Sequence, residues 1–149
     1  MVNDLNTFRS VLRAAGPAAA LGYLNAGAPH RFSAVYRFSG RVLKNVLLHD
    51  KRHEAKPDFL SVVPFERSYC QFVQRDRAFR TNDALADHRL AHHPFQGVIV
   101  SYHSVPIVSA SLELWGTLSH FDMEAMALAE EEFALLTDAA KVFPRYLIA

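Results

Sequence analysis

The sequence predicts an α+β fold in which helices group against one face of an antiparallel sheet. Two pairs of strand-like segments are each joined by a short turn, and strands joined in this way pair antiparallel. Helical patterns lie at both ends of the chain, with the strands between them. Helices and strands are therefore segregated along the sequence, which is typical of the α+β class.

The N-terminal region predicts two short helices. Asp4 is suited to cap the first helix, and Gly16-Pro17 is suited to end it. The second helix is expected over residues 17–25, because proline is favoured in a first helical turn. Four apolar residues of the first helix fall on one stripe: Leu5, Phe8, Val11 and Leu12.

Residues 31–49 predict the first strand pair. Every second residue of 31–39 is apolar, and a period of two is typical of a strand. Gly40 allows a tight turn, and residues 41–49 are expected to form the second strand. The alternating residues of the first strand are Phe32, Ala34, Tyr36 and Phe38.

The middle of the chain is irregular. Residues 50–57 are the most polar stretch and predict an exposed loop. Residues 59–63 and 79–82 predict short strands, and residues 68–75 between them predict a short helix. The buried side of this helix is expected to carry Tyr69, Phe72 and Val73.

Residues 98–108 and 112–121 predict a second strand pair. Residues 98–108 are rich in β-branched side chains, and small polar residues connect the two segments. The last helix is expected over residues 123–142, before Pro144, and residues 130–132 are expected to be solvated. Its buried face is expected to carry Met126, Ala129, Phe133, Leu136 and Ala140.

The composition is that of a globular protein, and the length fits one domain over residues 1–149. Hydrophobic residues make up 50% of the chain and charged residues 21%, with a formal net charge of +1 and no run of Lys and Arg that would indicate nucleic-acid binding. No segment is typical of a signal peptide or a membrane span. We therefore expect a cytoplasmic protein with neither nucleic acid nor membrane as a partner.

Several segments resemble parts of a GAF domain and lie in the order of that family. Residues 31–38, RFSAVYRF, resemble its first central strand, and residues 68–73 resemble the short helix beside its pocket. Residues 82–94 resemble the loop that leads to the last central strands. Those strands are matched by Ser-Tyr-x-x-Val-Pro at 101–106 and Trp-Gly-Thr-Leu-Ser-His-Phe-Asp at 115–122.

The resemblance implies a central antiparallel sheet of about six strands. Helices from residues 1–27 and 123–149 would cover one face, and residues 28–122 would form the sheet and a ligand pocket with short helices and loops on the other face. The implied function is a sensory domain that binds a small molecule and signals in trans to a partner protein through its terminal helices. A homodimer formed by those helices is also implied.

The chain departs from several members of the family. The Asn-Lys-Phe-Asp-Glu signature of cyclic-nucleotide-binding members and the Cys-His pair that attaches a bilin are absent. Ser119 stands where the family often has a second cysteine, and the single Cys70 excludes an intramolecular disulfide. The ligand is therefore not identified, and no metal is predicted.

The predicted ligand site combines the resemblance with the alternation of side chains in strands. Tyr36 and Tyr102 are expected on adjacent central strands, and the hydroxyls would orient a small polar or anionic ligand. The alternative is that these hydroxyls satisfy one another or the backbone in a packed core. The eight candidate residues are Tyr36, Phe38, Tyr69, Phe72, Tyr102, Ser104, Thr117 and Ser119.

Two alternatives to a sensor stay open. One is a small-molecule enzyme that uses Cys70 or a His-lined metal site, since His88 and His92 lie one helical turn apart. Asp87 and His93 adjoin these two residues. The other alternative is a structural dimer with an occluded pocket. No catalytic motif is present, so no catalytic or metal-binding residue is predicted.

Three other histidines lie at strand ends or in the polar loop and are expected to be exposed: His30, His49 and His53.

Overall fold

Two consecutive helices begin the computed structural model, which describes residues 3–148. Helix α1 spans Leu5–Ala15 and α2 spans Pro17–Ala26. Asp4 caps α1, because its Oδ1 accepts a hydrogen bond from the backbone N–H of Thr7 at 2.8 Å. Between the helices Gly16 adopts a φ of 92°, which favours glycine. Both helices lie where the sequence predicts them.

The described residues form a six-stranded antiparallel sheet. The strands are β1 Phe32–Ser39, β2 Val42–Asp50, β3 Val62–Pro64, β4 Phe79–Thr81, β5 Ser101–Val108 and β6 Leu114–Asp122. Their order is β3-β2-β1-β6-β5-β4, so strands from the two predicted pairs meet at the centre of the sheet. The α+β class and the antiparallel sheet are confirmed, but Tyr36 and Tyr102 are not on adjacent strands, because β6 lies between β1 and β5.

Three further helices complete the fold: α3 Cys70–Asp76, α4 Glu130–Val142 and α5 Pro144–Leu147. The prediction that the last long helix begins at residue 123 is wrong. The backbone N–H of Met126 donates to the carbonyl of Asn82 at 3.0 Å, and Ser101 Oγ donates to the carbonyl of Glu124 at 2.8 Å. These tertiary hydrogen bonds hold residues 123–129 in a non-helical conformation.

Two apolar clusters occupy opposite faces of the sheet. The helices pack on one face, where Phe8, Leu12 and Leu136 contact the cluster of Val35 and Leu118. The other face carries a second cluster beneath α3 and the irregular middle of the chain. Successive residues of a strand point to opposite faces, so one sheet supports both clusters. This second cluster includes Phe32, Tyr36, Tyr69, Tyr102 and Phe121.

Burial differs from the sequence-based expectation at several residues. Glu132 is buried, whereas it is expected to be solvated, and the buried face of α4 carries Leu135, Leu136, Ala139 and Ala140. Met126 and Ala129 precede the helix. His30 is completely buried, so the prediction that it is exposed is wrong. None of the helices between residues 3 and 148 is long and apolar enough to cross a bilayer.

Candidate functional site

A small cavity lies between the sheet and the segments that cover the face opposite the terminal helices. We call these covering segments, residues 57–61, 65–78 and 82–100, the lid. The cavity has a volume of about 40 Å³, which leaves room for only a few water molecules. It is lined by Tyr36, Leu43, Leu60, Val63, Ser68, Tyr69, Cys70, Phe95, Ile99, Tyr102 and Phe121.

Two tyrosines hold the lid around this cavity, Tyr36 from the sheet and Tyr69 from within the lid. Tyr36 projects from β1 and its hydroxyl donates to the carbonyl of Leu60 at 2.6 Å. Tyr69 projects from the lid and donates to the carbonyl of Ile99, just before β5, at 2.8 Å. Burial raises the pKa of both phenols well above the ordinary value, so both remain protonated donors at neutral pH.

Cys70 forms part of the cavity wall together with Tyr102. Its Sγ lies 3.1 Å from the Tyr102 hydroxyl and 3.3 Å from Thr117 Oγ1. Burial raises the pKa of the thiol, which outweighs the opposing effect of these two hydrogen bonds. Since the thiolate is the reactive form, this environment does not activate Cys70 as a nucleophile.

The structure brings some of the eight predicted site residues together and separates others. Tyr36, Tyr69 and Tyr102 line the cavity, and Thr117 reaches its wall through Cys70. Ser104 Oγ donates to the carbonyl of Leu118 at 3.2 Å, whereas buried Ser119 Oγ has no partner among the described residues.

Phe38 and Phe72 lie outside the lining of the cavity. The Phe38 ring packs against Phe65 with the centroids 5.8 Å apart, and the Phe72 ring packs against Phe79 at 4.9 Å. The apolar lining residues supplied by β2, β3 and the lid are not among the predicted site residues. Leu43 lies in the predicted second strand, and no local pattern indicates that Leu60 or Ile99 would reach the cavity.

The cavity is apolar and carries no formal charge. Each of its lining side chains is neutral at pH 7, and the raised pKa values of Tyr36, Tyr69 and Cys70 keep them so. An anion placed here would meet no cationic side chain, and burying an unpaired charge is costly. The site therefore suits an uncharged molecule, in contrast to the anionic option considered from the sequence.

Of the residues of the metal alternative, His88 and His92 are exposed, and Asp87 and His93 form local contacts. Asp87 Oδ2 accepts a hydrogen bond from Arg89 Nη2 at 2.6 Å, and His93 Nδ1 accepts one from the backbone N–H of Phe95 at 3.1 Å. Within residues 3–148, no three His, Cys, Asp or Glu side chains are arranged to hold a metal ion.

Comparisons of sequence find no match, either to a family model or to a curated protein. Comparisons of structure do. The chromophore-binding domain of Stigmatella aurantiaca phytochrome P1 has a TM-score of 0.74 and 14% identity, over 97% of this chain. This chain spans 58% of the length of that phytochrome fragment.

Two shorter structures match over most of both chains. The GAF domain of a phosphoenolpyruvate-protein phosphotransferase from Coxiella burnetii has a TM-score of 0.72 and 16% identity, covering 95% of this chain and 88% of that one. A type II free methionine-R-sulfoxide reductase from Thermoplasma acidophilum has a TM-score of 0.68 and 19% identity, covering 95% and 93%. The chain therefore has the GAF fold.

Proposed function

We propose that this protein is a sensory domain that binds a small uncharged molecule between the sheet and the lid and signals its presence to a partner protein. The observation that carries the proposal is the charge-free cavity between the sheet and the lid, beside the hydrogen bonds of Tyr36 and Tyr69. A mostly apolar cavity with a few polar groups is the usual form of a small-molecule site. The phytochrome and phosphotransferase structures, which share this fold, support a role in sensing.

Binding is expected to require movement of the lid. A cavity of about 40 Å³ is smaller than most organic ligands, whose pockets measure roughly 300–1,000 Å³. Tyr36 holds the lid to the sheet through its bond to Leu60, as do a few backbone hydrogen bonds and the contacts of Cys70, and the lid lacks long regular elements. A ligand that binds the open lid better than the closed lid would shift the balance between these states, and that shift is the event to be transmitted.

Transmission in trans through the terminal helices is part of the proposal, as is a homodimer. Helices α1, α2 and α4 pack directly on the face of the sheet behind the cavity. Phe8, Leu12 and Leu136 are buried within one chain, so they are not available for an interface. A homodimer would therefore use the outer surfaces of these helices.

An enzyme is the second candidate, because Cys70 lies in the cavity wall and one structure of the same fold is a reductase. We rank it lower for two reasons. The thiol is buried with a raised pKa, and a single cysteine does not complete an intramolecular disulfide cycle.

The proposal is tested with two probes that differ in charge, benzyl alcohol and benzoate. Binding of each probe is measured from the shifts of the Leu60 and Ile99 methyl signals in NMR spectra. Val63 is 6% exposed and lines the cavity, whereas its neighbour Val62 on the same strand is 51% exposed. We expect Val63→Phe to fill the cavity and weaken benzyl alcohol binding at least tenfold, whereas Val62→Phe binds as the wild type does.

Benzoate is expected to bind far more weakly than benzyl alcohol, because its carboxylate would be buried without a partner. Equal binding of benzyl alcohol by Val63→Phe and the wild type would place the ligand elsewhere. Native mass spectrometry of the purified protein then identifies a ligand that is retained in the cavity by its added mass.

A further inference from the structure

Three histidines form a buried cluster on the helix face of the sheet, opposite the cavity. His103 on β5 and His120 on β6 are paired in register, and His30 lies just before β1. The ring centroid of His30 is 5.2 Å from that of His103 and 6.1 Å from that of His120. Each of the three side chains is at most 1% exposed. We call these three residues the histidine cluster.

The ring nitrogens of the histidine cluster are incompletely hydrogen-bonded. Ser33 Oγ lies 2.5 Å from His120 Nδ1, and Arg80 Nε donates to His103 Nδ1 at 3.2 Å. Neutral His103 therefore carries its proton on Nε2. That nitrogen and both ring nitrogens of His30 have no hydrogen bond of good geometry among the described residues, and the backbone of Met126 has only a minor effect on the two rings. Buried polar atoms without partners are rare and destabilising, so stability alone does not account for the cluster.

The charged groups around the histidine cluster are mixed in sign. Lys51 Nζ lies 2.6–2.8 Å from the carbonyls of Asn25, Ala28 and His30 and from Asn25 Oδ1. Asp122 faces His30, and its Oδ2 accepts a hydrogen bond from the backbone N–H of Arg31 at 2.7 Å. Arg80, which faces His103, forms an ion pair with Glu130 at 3.0 Å.

These surroundings keep all three imidazoles neutral in the folded protein. Burial is the largest effect and lowers the pKa of His30 and His103 to about 4 and that of His120 to about 3. Smaller contributions in the same direction come from Lys51 at His30 and His120, from neighbouring imidazoles at His103 and His120, and from Arg80 at His103. Asp122 opposes the change at His30, and the backbone of Met126 opposes it at both His30 and His103.

The segment that covers the histidine cluster is also the connection to α4. Residues 123–129 have no regular secondary structure, and the backbone of Met126 lies beside His30 and His103. Besides the bonds of Ala129 to α4, few hydrogen bonds hold the segment: from Met126 N to Asn82 O, from Ser101 Oγ to Glu124 O, from Glu124 N to Asp122 Oδ1 at 3.0 Å and from Arg80 Nη2 to Leu128 O at 3.2 Å. A short irregular segment of this kind opens at lower cost than a strand.

We propose that the histidine cluster is a proton-binding switch: acidification protonates His30, His103 and His120 and thereby releases residues 123–129 and the start of α4 from the sheet. The protonated rings would repel one another and require water, which the closed segment excludes. The ligand of this second site is the proton itself, and the switch operates whether or not the cavity on the opposite face is occupied. It provides acid sensing through a terminal helix.

The size of the effect follows from proton linkage. An imidazole that titrates at about 6.5 when open and at about 4 when closed multiplies the opening equilibrium about twentyfold at pH 5 relative to pH 7. If two or three such imidazoles titrate together, opening of residues 123–129 is accompanied by the binding of more than one proton. A dependence steeper than tenfold per pH unit is therefore expected between pH 6 and pH 5.

The experiment measures amide hydrogen exchange at Met126, corrected for the intrinsic effect of pH on exchange, in the wild type and in His30→Gln, His103→Gln and His120→Gln. We expect opening at Met126 to increase more than tenfold per pH unit below pH 6, and each substitution to reduce that dependence by about one proton. His88→Gln is the matched control, because His88 is exposed and lies outside the cluster. The amide of Ala34 in β1 monitors global unfolding and should remain protected.

NMR titration of the histidine rings in the wild type keeps the proposal testable if a variant fails to fold. Ring pKa values below about 5.5 in the closed protein, together with opening at Met126, support it. Ring pKa values near 6.5 with no change at Met126 would overturn it. A pH dependence as steep as that of the wild type in all three glutamine variants would do so too.

Discussion

Tyr36 ties the first strand of the sheet to the lid through a single hydrogen bond, from its hydroxyl to the carbonyl of Leu60. We expect Tyr36→Phe to lower the free energy of unfolding by about 1 kcal/mol, because the buried carbonyl of Leu60 loses its donor. Urea unfolding measures this change. Tyr146→Phe is the control, since Tyr146 is exposed, and it should leave the stability within about 0.5 kcal/mol of the wild type.

The same substitution distinguishes a latch from ordinary packing. If the hydrogen bond holds the lid, amide exchange at Leu60 should accelerate more in Tyr36→Phe than exchange in β1 does. A uniform acceleration over lid and sheet would show instead that the hydroxyl contributes only to global stability.

The sequence allowed the cavity-lining tyrosines to be predicted but not their partners. Tyr36 follows from the alternation of a strand, which is a local pattern. Leu60 and Ile99 reach Tyr36 and Tyr69 through contacts between segments that are distant in the chain, and no periodicity encodes them. His30 shows the same limit, because a polar residue before a strand looks exposed until the helices that cover it are placed.

Strands β1 and β6 pair so closely at Gly116 that no side chain fits there. A Cβ atom at this position would lie 1.9 Å from the carbonyl oxygen of Tyr36. We therefore expect Gly116→Ala to lower the free energy of unfolding by about 3 kcal/mol, because the two central strands must separate locally. Thermal and urea unfolding measure the loss.

Gly97→Ala is the matched control for this substitution. A Cβ atom at Gly97 would have only Leu85 Cδ2 nearby, at 3.9 Å, so we expect a change of less than about 0.5 kcal/mol. Equal stability of the two variants would mean that β1 and β6 adjust easily at Gly116, contrary to the tight pairing described here.

The sequence predicts the type and order of elements that have strong local patterns, whereas it predicts their first and last residues less accurately. The strands β1, β5 and β6 and the first two helices follow from periodicity and from capping residues. The start of α4 was misplaced by seven residues, from 123 to 130, because hydrogen bonds from Met126 and Ser101 override the helical pattern of this segment. Tertiary contacts of this kind are invisible in a single sequence.

At the scale of the whole molecule, one sheet lies between the two sites proposed above. Tyr102 and Phe121 line the cavity, whereas their immediate neighbours His103 and His120 lie in the histidine cluster on the other face. Because adjacent residues of a strand share a backbone, a shift of β5 or β6 caused on one face would also move the side chains on the other face. Within residues 3–148, the sheet is thus a structural layer common to the proposed small-molecule and proton sites.

The pH dependence of global stability is expected to show a second, more acidic step that originates at Asp50. This carboxylate is 8% exposed and accepts hydrogen bonds from Arg31 Nε at 2.7 Å and Arg31 Nη2 at 2.9 Å. The hydrogen bonds from Arg31 outweigh desolvation and lower its pKa from 3.8 to about 2.

A lowered carboxyl pKa stabilises the folded state above the unfolded pKa, and this contribution of Asp50 is lost as the pH falls from about 4 to about 2. The histidine cluster acts at higher pH: because its pKa values are lowered in the folded state, protonation of these rings favours the unfolded state as the pH falls from about 6.5 to about 4. We therefore expect Asp50→Asn to be less stable than the wild type at pH 5 and pH 7 by similar amounts, and this difference to shrink by about 2 kcal/mol by pH 2. Urea unfolding at pH 7, 5, 3 and 2 measures the difference. A constant gap between the two proteins down to pH 2 would show that the Arg31–Asp50 pair does not depend on the charge of Asp50.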